Sequence, residues 1–159
     1  MRLRGLPVDR DVLRRLGHEL RLRHGSGVLS QRVLDGIAFD VRQGLQRPVT
    51  IIDAIRNPAE VRLLRQSLGE DFVLVAIEAP VEALVERIRA RARAGDVVEN
   101  DDLARQVLSA EMGLNEPEYG HNIAECIAMA DLRIDNAGGL PELRQAVQAF
   151  VEQQVLPYQ

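Results

Sequence analysis

An acidic and a basic side chain stand at the end of a markedly apolar stretch. Residues 49–55 read VTIIDAI, so Asp53 lies within the end of the run and Arg56 directly follows it. Such a run predicts a strand covered on both faces, as in a parallel sheet wrapped by helices. Ligands of open α/β sheets bind at the carboxyl ends of the strands. The pattern therefore predicts a site at Asp53 and Arg56, although Arg56 could instead form an ordinary surface pair with Glu60, four residues on.

Arginines are concentrated in a second stretch, at positions 87, 89, 91 and 93. On a regular helix Arg87 and Arg91, like Arg89 and Arg93, would be four residues apart and would repel each other unless an anion lies among them. The cluster thus favours anion binding, with a solvated helix face as the alternative.

The elements that must position these residues alternate between strand and helix. Residues 49–55 and 72–78 are predicted strands, and 58–68 is the amphipathic helix between them, which together indicate a βαβ unit. A third short strand is predicted at 132–135. Apolar spacing predicts the remaining helices at 10–24, 28–44, from 80 onward, 101–112, 123–128 and 141–155. The fold class is therefore α/β.

Composition limits the classes of function. The chain has 159 residues, 46% of them hydrophobic, and we expect a single domain over 1–159. A net charge of −4 gives no case for a nucleic-acid partner. One cysteine, Cys126, and no apolar run of about 20 residues predict a cytoplasmic protein with no membrane partner. The three histidines and Cys126 do not form a metal-binding pattern.

Four stretches resemble the P-loop small-molecule kinases, in the branch of dephospho-CoA kinase and nucleotide kinases. Their order and spacing carry the resemblance over nearly the whole chain. They are the start from RGLP to Gly25, the segment IDAIRNPAEV with Ala54 where that family usually has glycine, the arginine-bearing stretch 87–96, and the ending ADLRIDN with Gly139 and Leu143.

The resemblance implies a three-layer P-loop-kinase-like parallel sheet flanked by helices, with 1–45 as a helical substrate-binding region and 86–120 as a lid. It implies ATP and Mg²⁺ as cofactors and a small phosphate-bearing substrate. By the same resemblance, Asp53 would orient the acceptor hydroxyl or a magnesium-bound water, and Asn136 would lie beside the adenine of the nucleotide. The guanidiniums would hold the acceptor's phosphate (Arg10, Arg21 and Arg56) or close over the transferring phosphoryl group (Arg87, Arg91 and Arg93).

The chain departs from that family at its start. It contains no G-x-x-x-x-G-K-[ST] pattern, and all of its 20 basic residues are arginine, so no lysine can hold a donor phosphate. The sheet is therefore expected to be incomplete at the N-terminus. Two interpretations follow: a truncated kinase that is inactive alone, or a non-catalytic module. Such a module would bind a nucleotide-like or CoA-like anion, or would complete its sheet with another chain, for example as a homo-oligomer through open strand edges.

Overall fold

A computed structural model describes residues 10–45, 47–90, 100–113 and 116–154. The first two helices are α1, Arg10–His24, and α2, Val28–Arg42. Both lie within two residues of their predicted bounds. Gly25 separates them at a φ of +92°, a conformation that favours glycine.

Helix α3, Pro58–Leu68, matches its predicted bounds. Its start is fixed by Asn57, whose side chain accepts a hydrogen bond from the Ala59 N–H, and by Pro58 in the first turn. Gly69, at a φ of +59°, ends it. Val61 and Leu64 are fully buried along its inner face. Burial on this scale stabilises the fold by roughly 1.5–3 kcal/mol for each side chain.

The sheet has two parallel strands in the described ranges. Strand β1, Val75–Glu78, pairs with β2, Leu132–Asp135, from Val75 opposite Leu132 to Glu78 opposite Asp135. Helices α4 (Val81–Ala90), α5 (Asp101–Met112) and α6 (Ile123–Ala128) connect the two strands, and α7 (Leu140–Gln154) follows β2. The α/β class, a parallel sheet flanked by helices and the third predicted strand are confirmed, and the strand predicted at 72–78 is present from Val75. The βαβ unit of 49–78 is not formed, and a three-layer kinase-like sheet is not confirmed.

The strand predicted at 49–55 is wrong. Residues 49–55 form no strand, because a strand exists only through hydrogen bonds to a neighbour, and within the described part of the chain β1 is paired with β2 alone. Ala54 adopts a φ of +64°, which breaks the extended course before Arg56. The apolar side chains of this segment are consequently not enclosed: Ile51 is 88% exposed, while Ile55 packs against the core.

The core lies where α3, β1 and α6 meet. Val61, Leu74 and Cys126 are buried together there, and Ile55 and Phe72 pack against them. None of the helices in the described ranges combines the length and the apolar character that a membrane span requires.

Candidate functional site

A buried ion pair joins the end of α1 to the first turn of α3. Arg21 donates from Nε and Nη2 to Glu60 Oε1, at 3.3 and 3.0 Å. The two side chains are only 3% and 4% exposed. A carboxylate buried to this extent requires a charged partner, and Arg21 is that partner.

The second oxygen of Glu60 holds the backbone in front of α3. Oε2 accepts hydrogen bonds from the N–H groups of Arg56 and Asn57, at 3.1 and 3.2 Å. With the Asn57 side chain this makes a capping box, in which the cap and the third helical residue satisfy each other's backbone. Glu60 therefore does not form the surface pair with the Arg56 side chain that the spacing allowed.

Asn57 ties this turn to the loop before α6. Its side chain is 2% exposed, and Nδ2 donates to the backbone oxygens of Glu118 and Gly120, at 2.7 and 2.8 Å. The Asn122 N–H in turn donates to the Arg56 backbone oxygen at 2.8 Å. The start of α3 and the loop are thus held as one unit.

That loop presents Glu116 and His121 to α1. Glu116 Oε2 accepts from the His121 N–H at 2.8 Å and lies 3.1 Å from His18 Nε2. The His18 and His121 rings meet edge to face with centroids 5.6 Å apart. Arg14 Nη2 lies 3.6 Å from Glu116 Oε1. Arg14, His18 and Arg21 therefore form the side of α1 that faces this polar cluster.

Among the predicted site residues, Arg56 is the one whose backbone is held by hydrogen bonds to both Glu60 and the loop before α6. Its backbone is fixed through Glu60 and Asn122, while its side chain is 37% exposed. The guanidinium lies 3.6 Å from Glu111 Oε2 and, within the described ranges, makes no hydrogen bond. Its donors are thus held at the surface on a fixed backbone.

Burial and neighbouring charges both shift the pKa of His121. Burial is the main cause that lowers the pKa of His121 below its usual 6.5, followed by the Arg56 guanidinium. Glu116 opposes the shift, and Arg21 and His18 add to it in smaller measure. His121 is therefore neutral at pH 7, and the positive charge beside it is that of the arginines.

The other residues predicted for the substrate side are less informative. Asp53 is exposed, three residues before Arg56, and it lies in the irregular segment rather than at the end of a strand. Arg10 begins α1, and its side chain lies outside the description. Arg21 is bonded to Glu60, as above. Arg91 and Arg93 lie outside the described residues.

A second group of predicted residues meets at the carboxyl end of the sheet. Arg87, in the last turn of α4, donates to the Gly138 backbone oxygen at 2.8 Å, two residues beyond Asn136. The Asn136 N–H donates to the Glu78 backbone oxygen at 2.7 Å. Beside this turn an open cavity of about 390 Å³ is lined by Glu78, Ala79, Pro80, Arg133, Ile134 and Asp135. Arg87 thus contacts the turn that follows Asn136, in a place distinct from the start of α3.

The metal-ligating and thiol side chains of the described residues can be located individually. These residues contain no group of three histidine, cysteine or carboxylate side chains arranged to hold a metal ion. Burial raises the pKa of Cys126 to about 11, with Glu60 and Glu125 adding to the rise, so that its thiol stays protonated.

Sequence reasoning missed the residues that support Arg56. The spacing of Asn57 and Glu60 is a capping-box signal, which locates both at the start of α3. The 14, 18 and 21 spacing on α1 indicates one helix face. No local pattern, however, links that face to Glu60, Glu116 or His121, because these partners lie far away in the sequence.

Comparison with curated proteins returns relatives over most of the chain. A UPF0200/UPF0201 protein of Archaeoglobus fulgidus is 30% identical over 148 residues, which cover 93% of this chain and 42% of the relative. A UPF0200 protein of Halobacterium salinarum is 31% identical over 84% of this chain and 64% of its own length. A UPF0200 protein of Methanothrix thermoacetophila is 31% identical over 87% and 69%. The chain thus spans less than two thirds of the first two relatives. No family model matches it, and no solved structure matches it.

These relatives correct the resemblance to small-molecule kinases. The matched proteins are named as UPF0200 proteins rather than as dephospho-CoA or nucleotide kinases, so the assignment to the kinase family was wrong. Their names state no activity. Phosphoryl transfer, the cofactors ATP and Mg²⁺, the cytoplasmic location, the regions 1–45 and 86–120 and the site roles stay predictions.

Proposed function

The chain belongs to the UPF0200 family, and we propose that it binds a small phosphate-bearing molecule at a site centred on Arg56. One observation carries the proposal. The Arg56 guanidinium is partly exposed on a backbone fixed by Glu60 and Asn122, and it makes no hydrogen bond within the described ranges. A planar guanidinium with free N–H donors is the side chain best suited to grip a phosphate through paired hydrogen bonds.

The surroundings of Arg56 favour an anion of high charge. The nearest carboxylate, Glu111, lies 3.6 Å away, and both side chains are about one third exposed. Pairs of this kind contribute about 1 kcal/mol or less, so a phosphate carrying two charges can displace the carboxylate. Burial is the main cause that lowers the pKa of His121, and the Arg56 guanidinium, as the second cause, adds its positive charge there. Neutral His121 adds no charge of its own, and its imidazole can donate one hydrogen bond and accept another.

Calorimetric titration with inorganic pyrophosphate, followed by Mg-ATP, tests this proposal. Arg56→Ala should weaken binding about 10- to 100-fold, the equivalent of one charge-assisted hydrogen-bonding group. Arg62→Ala is the matched control, because Arg62 lies on α3, carries the same charge and is 60% exposed in a pair with Glu125. Equal loss in both variants, or no binding by the parent chain, would contradict the proposal.

A second candidate function, assembly through β1, is favoured by a separate observation. Along β1 and the two residues before it, Leu74 and Ala76 are buried on one face, but Val73 and Ile77 on the other face are 50% and 57% exposed. Leu74 and Glu78 direct their backbone oxygens to the β2 side of the strand. The backbone N–H and C=O groups of Val73, Val75 and Ile77 therefore face the opposite edge, which is unpaired within the described ranges.

We propose a second copy of the chain as the occupant of this edge. Antiparallel pairing about a two-fold axis at Val75 would place Val73 opposite Ile77 of the other copy, twice over, as an isologous interface requires. An exposed apolar strand edge is also a surface that proteins normally cover.

Sedimentation velocity over a range of concentrations tests the assembly. The parent chain should dimerise, and Ile77→Lys should remain monomeric because it places a charge on the paired edge. Leu22→Lys on α1, at a residue 66% exposed, should still dimerise. A parent chain that stays monomeric at every concentration, or an Ile77→Lys chain that still dimerises, would exclude this interface.

A further inference from the structure

We infer that Glu60 is the positioning residue for Arg56 and that Arg21 is the cation that allows Glu60 to be buried. The inference rests on the proposed binding at Arg56 and assigns the buried pair a role in it. Arg21 would then act on the ligand only through Glu60, instead of contacting phosphate itself.

Burial and bonding separate Arg21 from any outside ligand. The guanidinium is 3% exposed, and both Nε and Nη2 are directed at a single oxygen, Glu60 Oε1. A ligand at the surface would have to displace Glu60 in order to reach it. That displacement would leave a buried carboxylate without its counter-charge, a change that is costly in protein interiors.

The two carboxylate oxygens of Glu60 bond to different partners. Oε1 takes the Arg21 cation, and Oε2 takes the N–H groups of Arg56 and Asn57. The Arg56 oxygen is held from the other side by the Asn122 N–H. The backbone from which the Arg56 side chain extends is therefore fixed at both its donor and its acceptor.

The placement of the pair argues for such a role. A buried ion pair seldom stabilises a fold more than apolar residues of similar volume would. A capping box also needs only an acceptor at the third helical residue, and neutral glutamine serves there. These two facts allow the charge of the pair to be removed while the acceptor is kept.

Two charge-neutral double variants isolate the acceptor. Arg21→Met with Glu60→Met removes the ion pair and the backbone acceptor together. Arg21→Met with Glu60→Gln removes the ion pair but keeps one acceptor oxygen. Because the net charge of the two chains is identical, any difference between them in pyrophosphate affinity reports the acceptor alone.

We expect the Arg21→Met, Glu60→Met chain (Met/Met) to bind pyrophosphate about 10-fold more weakly than the parent chain. Hydrogen exchange at the Arg56 and Asn57 amides should also be faster in it. The Arg21→Met, Glu60→Gln chain is called Met/Gln. The Met/Gln chain should recover most of the affinity and most of the protection. Equal affinity and equal amide protection in the two chains would overturn the inference.

A matched control lies at the other end of α3. Arg65 donates to Asp131 Oδ1, and Asp131 Oδ2 accepts from the Leu74 N–H at 2.8 Å, so this carboxylate also bonds one arginine and one backbone N–H, although its pair is 37% and 41% exposed. Arg65→Met with Asp131→Leu should leave the affinity for pyrophosphate unchanged. An equal loss in this control would mean that the effect is general destabilisation, and the inference would fail.

The remaining outcomes separate this inference from the binding proposal. If the parent chain does not bind pyrophosphate, the proposed function fails, whereas amide exchange at Arg56 and Asn57 still decides whether Glu60 fixes the turn. If the Met/Met chain does not fold, Arg21→Lys replaces it. Lysine keeps the charge but cannot reproduce the two hydrogen bonds from Nε and Nη2, so amide exchange at Arg56 should accelerate. Unchanged exchange would refute the assignment of Arg21 as the group that holds Glu60 in place.

Discussion

Replacing Asn57 with alanine should be among the most damaging single changes to this chain. The side chain is 2% exposed and makes three hydrogen bonds. One caps α3 at the Ala59 N–H, and two reach the backbone oxygens of Glu118 and Gly120. Alanine would remove all three and take from the buried Gly120 its bond to this side chain.

The cost can be estimated from these contacts. Loss of a helix cap costs about 1 kcal/mol, and each of the two other bonds contributes about 1 kcal/mol. The free energy of unfolding should therefore fall by roughly 3 kcal/mol. For a chain of this size that corresponds to a drop in melting temperature of about 6–12 °C.

Urea unfolding followed by circular dichroism measures the change, with Asn100→Ala as the control. Asn100 caps α5 through the Leu103 N–H at 2.9 Å but is exposed, so its loss should cost only about 1 kcal/mol. If Asn57→Ala costs no more than Asn100→Ala, the bonds to the 116–122 loop contribute nothing and the account of this unit is incorrect.

Three further predictions concern the same region. Because the pKa of His121 is lowered in the folded state, the unfolded chain binds more protons between that pKa and 6.5, so stability should fall as pH drops below about 6.5. His121→Asn should flatten the dependence of the urea midpoint on pH in that range. An unchanged slope would contradict the assignment of this pH dependence to His121. Gly113→Ala should destabilise by clearly more than Gly69→Ala in thermal unfolding, since both have positive φ but only at Gly113 would a Cβ clash with the His121 backbone oxygen. Equal losses would contradict the predicted clash. Ala54→Gly should raise the free energy of unfolding by up to about 1 kcal/mol, because it relieves a φ of +64° at a non-glycine residue, and a loss of stability would show that this conformation is not strained.

Local signals in the sequence predicted the helices well. Asn57, Pro58 and Gly69 mark the two ends of α3, and the predicted third strand coincides with β2. The segment 49–55 shows where such signals fail. Its composition predicts burial, but pairing depends on a neighbour that composition does not specify, and Ile51 is exposed in consequence.

The candidate site was predictable only in part. Asp53 and Arg56 were predicted because they lie at the end of an apolar run. Of the two, only Arg56 has a backbone that Glu60 and Asn122 hold in place. The support itself comes from Arg21, 39 positions before Glu60, and from the loop at 116–122. Contacts at such separations depend on how the helices pack, and a single sequence carries no direct signal for them.

The most direct test of the central claim is the ¹⁵N-resolved NMR signal of the Arg56 Nε–H group during titration with pyrophosphate. The account predicts that this signal moves saturably, while the Nε–H signal of Arg62 stays in place. Movement of other arginine signals with no change at Arg56 would contradict it.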